Sequence, residues 1–270
     1  MWSTPAHVHD LSDEEHFTAE HALRYFLEGR GLTVEEIGVN PTVVATLLPQ
    51  TWRSLAAKAA AQPAKQWLYS HERIPLSHGL ARDVPVSLVA LPQGAPAAVM
   101  VMEFLIALGA RRFLVLGAAG SLQERAPIGS FVVPEAVVRE DGTSFHYQPP
   151  EVTPTPASAL ATLLRERSAA AGVAPVSGVN WSTDAIFREL KRKVLYFRKQ
   201  GVLSVEMEAA ALFAAGAFRG VEVAMLLVIS DELFRPWAPA FLHETYRGRL
   251  KLAQDVLLDA ASQADNTGHV

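Results

Sequence analysis

Short apolar runs alternate along the chain with longer segments in which apolar residues recur at helical spacing. The runs are rich in β-branched residues, as is typical of buried strands. They cover residues 43–48, 84–91, 112–116, 131–139, 176–179, 202–205 and the segment that ends at 230–231. Helical patterns cover 13–28, 34–38, 51–61, 95–108, 155–172, 184–200, the segment that ends near 220, and 239–262. This alternation predicts a three-layer α/β fold, in which a mixed, largely parallel central sheet is flanked by helices.

Composition and charge narrow the class of protein. The 270 residues, half of them hydrophobic, can bury a large core, and no linker-like segment divides them, so we expect a single domain over 1–270. The net charge of −4 argues against a nucleic-acid partner. The longest apolar run, 95–110, is too short to span a bilayer, and the polar N-terminal segment does not resemble a secretory signal. The absence of cysteine excludes disulfides and fits a cytoplasmic location.

The most informative stretch is an acidic turn between a predicted strand and an Ala-rich helix. Glu206 and Glu208 flank Met207 at this turn. A carboxylate is favoured at a helix N-terminus, so each acid could simply cap the helix. The two oxygens of a carboxylate can also accept hydrogen bonds from both hydroxyls of a vicinal diol, and a Met offers an adaptable apolar surface for a sugar face. The spacing leaves both interpretations open.

Three candidate segments lie at the ends of predicted strands. They are the small-residue loop 117–121, the acidic turn and Asp231. Ligands of open α/β sheets bind at the carboxyl ends of strands, so we expect these segments to form one site. Partial burial could give Asp231 a pKa suited to proton transfer, although capping a turn is the alternative.

Four ordered stretches resemble the nucleoside phosphorylase family, which includes purine nucleoside phosphorylases, uridine phosphorylases and related nucleosidases. They read FLIALGARRFLVLGAAGSLQ, IGSFVVPEAVVREDGTSFHY, STDAIFRE and VEMEAAALF, and a strand ending in Ser-Asp follows the last. They lie within roughly residues 85–235. The resemblance implies a homo-oligomer of this family's fold that cleaves the N-glycosidic bond of a nucleoside. It implies inorganic phosphate as a possible co-substrate, with neither a metal nor an organic cofactor.

The resemblance also implies which residues would contact the sugar and which would assist the leaving group. Glu208 would bind the ribose hydroxyls, and Met207 would pack on the sugar. Glu206 is a further ribose-side candidate that could mainly orient the turn. Asp231 would donate a proton to the departing base.

The resemblance places the base near Phe187, which is a plausible stacking wall. Asp184 could approach the base or cap the next helix. Uridine-specific members carry a Gln-x-Arg pattern after this Phe, whereas Arg188 and Glu189 follow here. Arg188 remains a base-side candidate, and the missing pattern favours a purine over uracil.

The phosphate site departs from the pattern of the phosphorolytic members. The stretch matched to their Gly-Asp-Pro loop, 38–44, has Asn40 in place of the Asp and no Arg, and Val115 replaces a central Arg. The remaining candidates for holding phosphate or water are Gly117, Ala118, Ala119, Gly120 and His78. Arg supplies the bidentate bonds that phosphate sites use. Its absence favours attack by water, as in the family's hydrolases, while the family name implies phosphorolysis. A nucleoside-binding module without turnover is a third possibility.

Overall fold

A mixed β-sheet forms the centre of the molecule. We describe it from a computed structural model that covers residues 14–267. The strands in this part of the chain are β1 (Thr42–Thr46), β2 (Gln62–Pro63), β3 (Leu76–Ala81), β4 (Val84–Ala90), β5 (Arg112–Ser121), β6 (Phe131–Glu140), β7 (Val176–Thr183), β8 (Ser204–Glu206), β9 (Glu222–Glu232) and β10 (Ala238–Pro239).

Helices connect most of these strands. The α-helices within residues 14–267 are α1 (Ala19–Glu28), α2 (Val34–Ile37), α3 (Pro49–Lys58), α4 (Ala95–Ala107), α5 (Ser158–Ala170), α6 (Lys191–Lys199), α7 (Ala209–Arg219) and α8 (Glu244–Ala261). Short 3₁₀ helices cover Thr143–His146, Ile186–Arg188 and Ala264–Thr267. In the same residues we find no helix with the length and apolar character that a membrane span requires.

The strand order is β10-β9-β6-β7-β8-β5-β1-β4-β3-β2, and β9 also pairs with β5. The second pairing closes β5, β9, β6, β7 and β8 into a ring. The longest ladders, between β5 and β9 and between β6 and β7, are parallel. The ladders of β2 with β3, β3 with β4 and β9 with β10 are antiparallel. The mixed, largely parallel sheet of the α/β prediction is confirmed, and the ring is an addition that the sequence pattern did not indicate.

Two helical layers cover the sheet and complete the predicted three layers. The helices α1, α4 and α7 pack in one apolar core, and α3, α5 and α8 pack in the other. Strand β5 serves both cores because its side chains alternate between the two faces. Phe113 and Val115 belong to the first core, and Leu114 and Leu116 belong to the second.

Several predicted element boundaries are wrong. The loop expected at 117–121 is strand, because β5 continues to Ser121 with a register shift between Ala119 and Gly120. Between the helix predicted to end at 61 and the strand predicted to begin at 84, the chain forms β3, which pairs with β4. Helix α1 begins at Ala19 and not near residue 13, since Thr18 accepts a hydrogen bond from the His21 backbone N–H.

Helix α7 lies close to β9 where Gly216 faces the strand. Its residues from Ala209 to Gly216 are all buried. A Cβ atom added at Gly216 would lie 2.5 Å from Cγ2 of Val223 and 3.2 Å from the carbonyl oxygen of Val221. Both neighbours are rigid, so this position has no room for a side chain.

We therefore expect Gly216→Ala to lower the free energy of unfolding by about 1–3 kcal/mol, because overpacking outweighs the gain in helix propensity. Gly248→Ala in α8 is the matched control, because no atom lies within 4 Å of its added Cβ. It should raise stability by up to ~1 kcal/mol. Urea unfolding measures both, and equal changes in the two variants would contradict this account of the α7 packing.

Candidate functional site

A cavity of about 880 Å³ opens where the carboxyl ends of several strands meet. Segments that follow β1 and β7 line it, together with the last residues of β5, the turn between β8 and α7, and the end of β9. The predicted site residues in its lining are Ala118, Ala119, Gly120, Phe187, Glu206, Met207, Glu208 and Asp231. Residues from four distant parts of the sequence therefore share one cavity.

Glu206 is a buried carboxylate whose oxygens bind the protein itself. Its Oε1 accepts hydrogen bonds from Asn180 Nδ2 at 2.8 Å and from the Ser182 hydroxyl. Its Oε2 accepts from the backbone N–H groups of Glu208 and Ala209, both at 2.7 Å. Burial raises the pKa of Glu206, and these four hydrogen bonds act in the opposite direction. The arrangement matches an orienting role in the turn and leaves little acceptor capacity for a sugar.

Glu208 is the N-cap residue of α7 and lines the cavity with a nearly buried side chain. Its Oε1 accepts a hydrogen bond of 2.6 Å from the backbone N–H of Gly94. Gly94 has a φ of 94°, which favours glycine, and it caps the N-terminus of α4. Burial and the nearby charge of Glu206 raise the pKa of Glu208 to about 8.

Asp231 lies near the end of β9, opposite Gly120 of β5. Its Oδ1 accepts a hydrogen bond from the Ser230 hydroxyl at 2.7 Å. Its Oδ2 accepts from the indole N–H of Trp237 at 2.9 Å. Both carboxyl oxygens therefore have a protein donor.

Aromatic side chains form the mouth of the cavity. Phe187, which was expected to form a stacking wall, is 95% exposed, and Trp237 is 66% exposed. Both line the cavity, as do Phe234 and Phe241. Flat apolar surfaces of this kind suit a planar ring as ligand.

Four predicted site residues do not line the cavity, namely Asp184, Arg188, Gly117 and His78. Asp184 is exposed, and its Oδ2 accepts a hydrogen bond of 2.8 Å from the backbone N–H of Gly142. Arg188 is exposed. Gly117 is buried inside β5, where an added Cβ would lie 2.8 Å from Cδ2 of Leu227. The sequence could not reveal this because β5 was expected to end before Gly117.

The predicted phosphate region near His78 and Asn40 lies elsewhere. His78 Nδ1 and the backbone N–H of Asn40 both hydrogen bond to the Ser87 hydroxyl. Ser87 pairs with Val43 near the start of β1, whereas the cavity lies beyond its end. The segment after β1 supplies Leu47, Leu48 and Gln50 to the cavity. The rule that ligands bind at strand ends, applied to β1, would have pointed to this segment.

A family model described as "Phosphorylase superfamily" matches residues 42–262. The chain belongs to this superfamily. It is 30% identical to the uridine phosphorylase of Salmonella typhimurium over 147 residues. This aligned region covers 49% of the chain and 58% of the Salmonella protein. It is 30% identical over 169 residues to the uridine phosphorylase of Treponema pallidum (58% of the chain, 66% of that protein). A guanosine phosphorylase of Halorubrum lacusprofundi is 29% identical over 144 residues (52% and 58%). The chain thus spans less than two thirds of each relative's length.

Two further residues of this superfamily member line the cavity and escaped the sequence analysis. Tyr246, in the first turn of α8, is 2% exposed, and its buried hydroxyl has no hydrogen-bond partner in the described residues. Burial and the charge of Asp231 raise the pKa of this Tyr. Glu189 follows the 3₁₀ helix after β7 and is half-buried. No group of three or more His, Asp or Glu residues that could hold a metal occurs within 14–267.

The unpartnered hydroxyl of Tyr246 leads to a first prediction for the site. A buried polar group without a partner costs about 1–3 kcal/mol, so Tyr246→Phe should raise the unfolding free energy of the unliganded protein by about 1 kcal/mol. Tyr196→Phe, at an exposed position, should change it by less than ~0.5 kcal/mol. Chemical denaturation tests both, and a loss of stability in Tyr246→Phe would show that the hydroxyl is bonded in the unliganded protein.

The raised pKa of Glu208 leads to a prediction for stability against pH. Between the pKa of an unfolded Glu, about 4.3, and the folded value of about 8, the native state binds a proton that the unfolded state lacks. The unfolding free energy therefore falls as pH rises through this window, by at most ~1.4 kcal/mol per pH unit from this group. Glu208→Gln should lack this contribution, so its stability relative to wild type should grow from pH 5 to pH 8. Chemical denaturation at several pH values measures this difference. An equal pH dependence of the unfolding free energy in the two proteins would contradict the raised pKa of Glu208.

Proposed function

We propose that this protein cleaves the N-glycosidic bond between the sugar and the base of a nucleoside. The observation that carries the proposal is that Glu208 and Asp231 line one cavity. Met207, in the turn between β8 and α7, lines the same cavity. Breaking the bond passes through an oxocarbenium-like sugar, so the enzyme must hold the sugar and assist the departure of the base. Membership in the superfamily supports the same reaction.

In this proposal Glu208 binds the sugar. Because its pKa is raised to about 8, Glu208 is largely protonated at neutral pH, with one O–H donor and the acceptor sites that the backbone N–H of Gly94 leaves free. The carboxyl group can therefore donate a hydrogen bond to one ribose hydroxyl and accept a hydrogen bond from the other. The Met207 side chain offers an apolar surface to the sugar ring, and Glu206 holds the turn that carries both residues.

In the same proposal the base binds beside Asp231. Asp231 accepts hydrogen bonds on both oxygens and can accept further ones from the edge of a base. Phe187 and Trp237 supply ring faces for stacking. The relatives that we compared are named for uridine and for guanosine, so both purine and pyrimidine nucleosides are candidate substrates.

The cavity lining favours water over phosphate as the nucleophile that attacks C1′ of the sugar. The segment after β1 contributes Leu47 and Leu48, and Ala118 of β5 lies beside them in the lining. Bound phosphate needs charge-assisted donors, and these side chains supply none. Of the two cationic side chains in the lining, Arg235 forms an ion pair with Glu232, and Lys191 lies on the exposed surface of α6. Phosphorolysis remains the second candidate because the relatives are named phosphorylases.

The assembly and location belong to the proposal as well. The family resemblance supports a homo-oligomer, and several large apolar side chains are exposed on the chain, including Phe187 and Leu242. The composition, without cysteine, supports a cytoplasmic location.

A nucleoside panel with and without inorganic phosphate tests the reaction and its acceptor. We expect release of free base and free ribose at a rate that phosphate does not change. Glu208→Gln should lower kcat/KM by about 10²-fold through lost transition-state contacts, while Glu135→Gln, an exposed residue outside the cavity, should not. Ribose 1-phosphate formed only with phosphate would establish phosphorolysis. Nucleoside binding without any base release would establish a binding module and overturn the proposal.

A further inference from the structure

Glu189 contributes a carboxyl group to the cavity lining. It lines the same cavity as Asp231 and is half-buried. No hydrogen bond or ion pair to its carboxyl group occurs in the part of the chain that the structure describes. Lys193, four residues further along the chain in α6, forms its ion pair with Glu140 instead. A carboxyl group that faces a cavity without a partner is available to a ligand.

Asp231 is in the opposite situation. The indole N–H of Trp237 can only donate, so Oδ2 of Asp231 is the acceptor in that bond. The Ser230 hydroxyl lies 2.7 Å from Oδ1 and 3.3 Å from the carbonyl oxygen of Ala119, and its one proton is donated over the shorter distance, to Oδ1. Asp231 thus accepts a hydrogen bond on each oxygen from its own protein, whereas Glu189 accepts none within the described residues. This arrangement favours Asp231 as a carboxylate that accepts hydrogen bonds over Asp231 as the proton donor.

The charges around Glu189 favour its neutral form. Burial, the charge of Asp231 on β9 and the charge of Glu140 on β6 raise the pKa of Glu189 to about 7, and Lys193 on α6 acts in the opposite direction. A general acid works best when its pKa lies near the operating pH. The electrostatics therefore agree with the geometry.

We propose that Glu189, and not Asp231, donates the proton that the departing base takes up, while Asp231 remains an acceptor that orients the base. This inference rests on the proposed cleavage of nucleosides. It assigns the acid to a residue in the segment between β7 and α6.

The proposed step balances with water as the acceptor. The bond between C1′ and the base nitrogen breaks, and its electron pair goes to the base. The carboxyl proton of Glu189 moves to the base, which leaves as a neutral molecule. The water oxygen bonds to C1′ and releases one proton to the solvent, from which Glu189 is protonated again. The products are free sugar and free base.

The test compares Glu189→Gln with wild type on two substrates. One is the nucleoside that the panel identifies, whose base must be protonated to leave. The other is p-nitrophenyl β-D-ribofuranoside, whose leaving group departs as a stable anion. We expect kcat/KM of the variant to fall about 10²-fold or more on the nucleoside and less than about 5-fold on the p-nitrophenyl riboside. Glu135→Gln is the control and should match wild type on both.

The pH profile supplies a second measurement. The donor must be protonated, so its contribution is complete below a pH of about 7 and is lost as pH rises through that value. The ratio of wild-type to Glu189→Gln kcat/KM on the nucleoside should fall accordingly. Equal losses on both substrates, or a ratio that does not change with pH, would overturn the assignment to Glu189. If wild type cleaves neither substrate, the proposed function itself fails, and the two failures are thus distinguishable.

Discussion

One buried carboxylate with only neutral partners holds the site together. Removing an ionised group from water costs several kcal/mol unless hydrogen bonds replace its hydration. Glu206 receives four such bonds, from two side chains of β7 and from two backbone groups at the start of α7. The Ser182 hydroxyl that donates to Glu206 also accepts from the backbone N–H of Ala210. Because strand, turn and helix share this carboxylate, none can shift without exposing it, and Met207 and Glu208 keep their places.

The closure of the sheet explains why distant segments meet in one cavity. A short antiparallel pairing of β5 with β8 sets Gly120 opposite Val205, and the parallel ladder of β5 with β9 sets the same glycine opposite Asp231. A Cβ added at Gly120 would lie 2.3 Å from Cδ1 of Leu233 and 3.3 Å from Oδ2 of Asp231. Glycine at this position therefore lets three strand ends approach one another, and the acidic turn and Asp231 face the same space.

The sequence was sufficient for the fold class and for much of the cavity lining, because both follow from local patterns. Apolar runs located the strands, and the strand-end rule brought together Ala118, Glu208 and Asp231. It was insufficient where pairing decides the outcome. Strand β5 runs beyond the predicted end because β8 and β9 hydrogen bond to that stretch. Glu189 and Tyr246 are site candidates because no group in the described residues forms a hydrogen bond with their side chains. The absence of a hydrogen-bond partner depends on the folded structure, so the sequence pattern could not reveal it.

The close packing of α7 against β9 restricts how the ligand preference of this site can change. Gly216 leaves no space for a side chain between α7 and β9, so the distance between helix and strand is fixed by close contact with Val221 and Val223. Glu208, the N-cap residue of α7, is therefore held at a fixed position in the cavity lining. A change in ligand preference would therefore arise most easily by substitution of the exposed aromatic residues at the mouth of the cavity. Their side chains can change in size without displacing the turn that carries Met207 and Glu208.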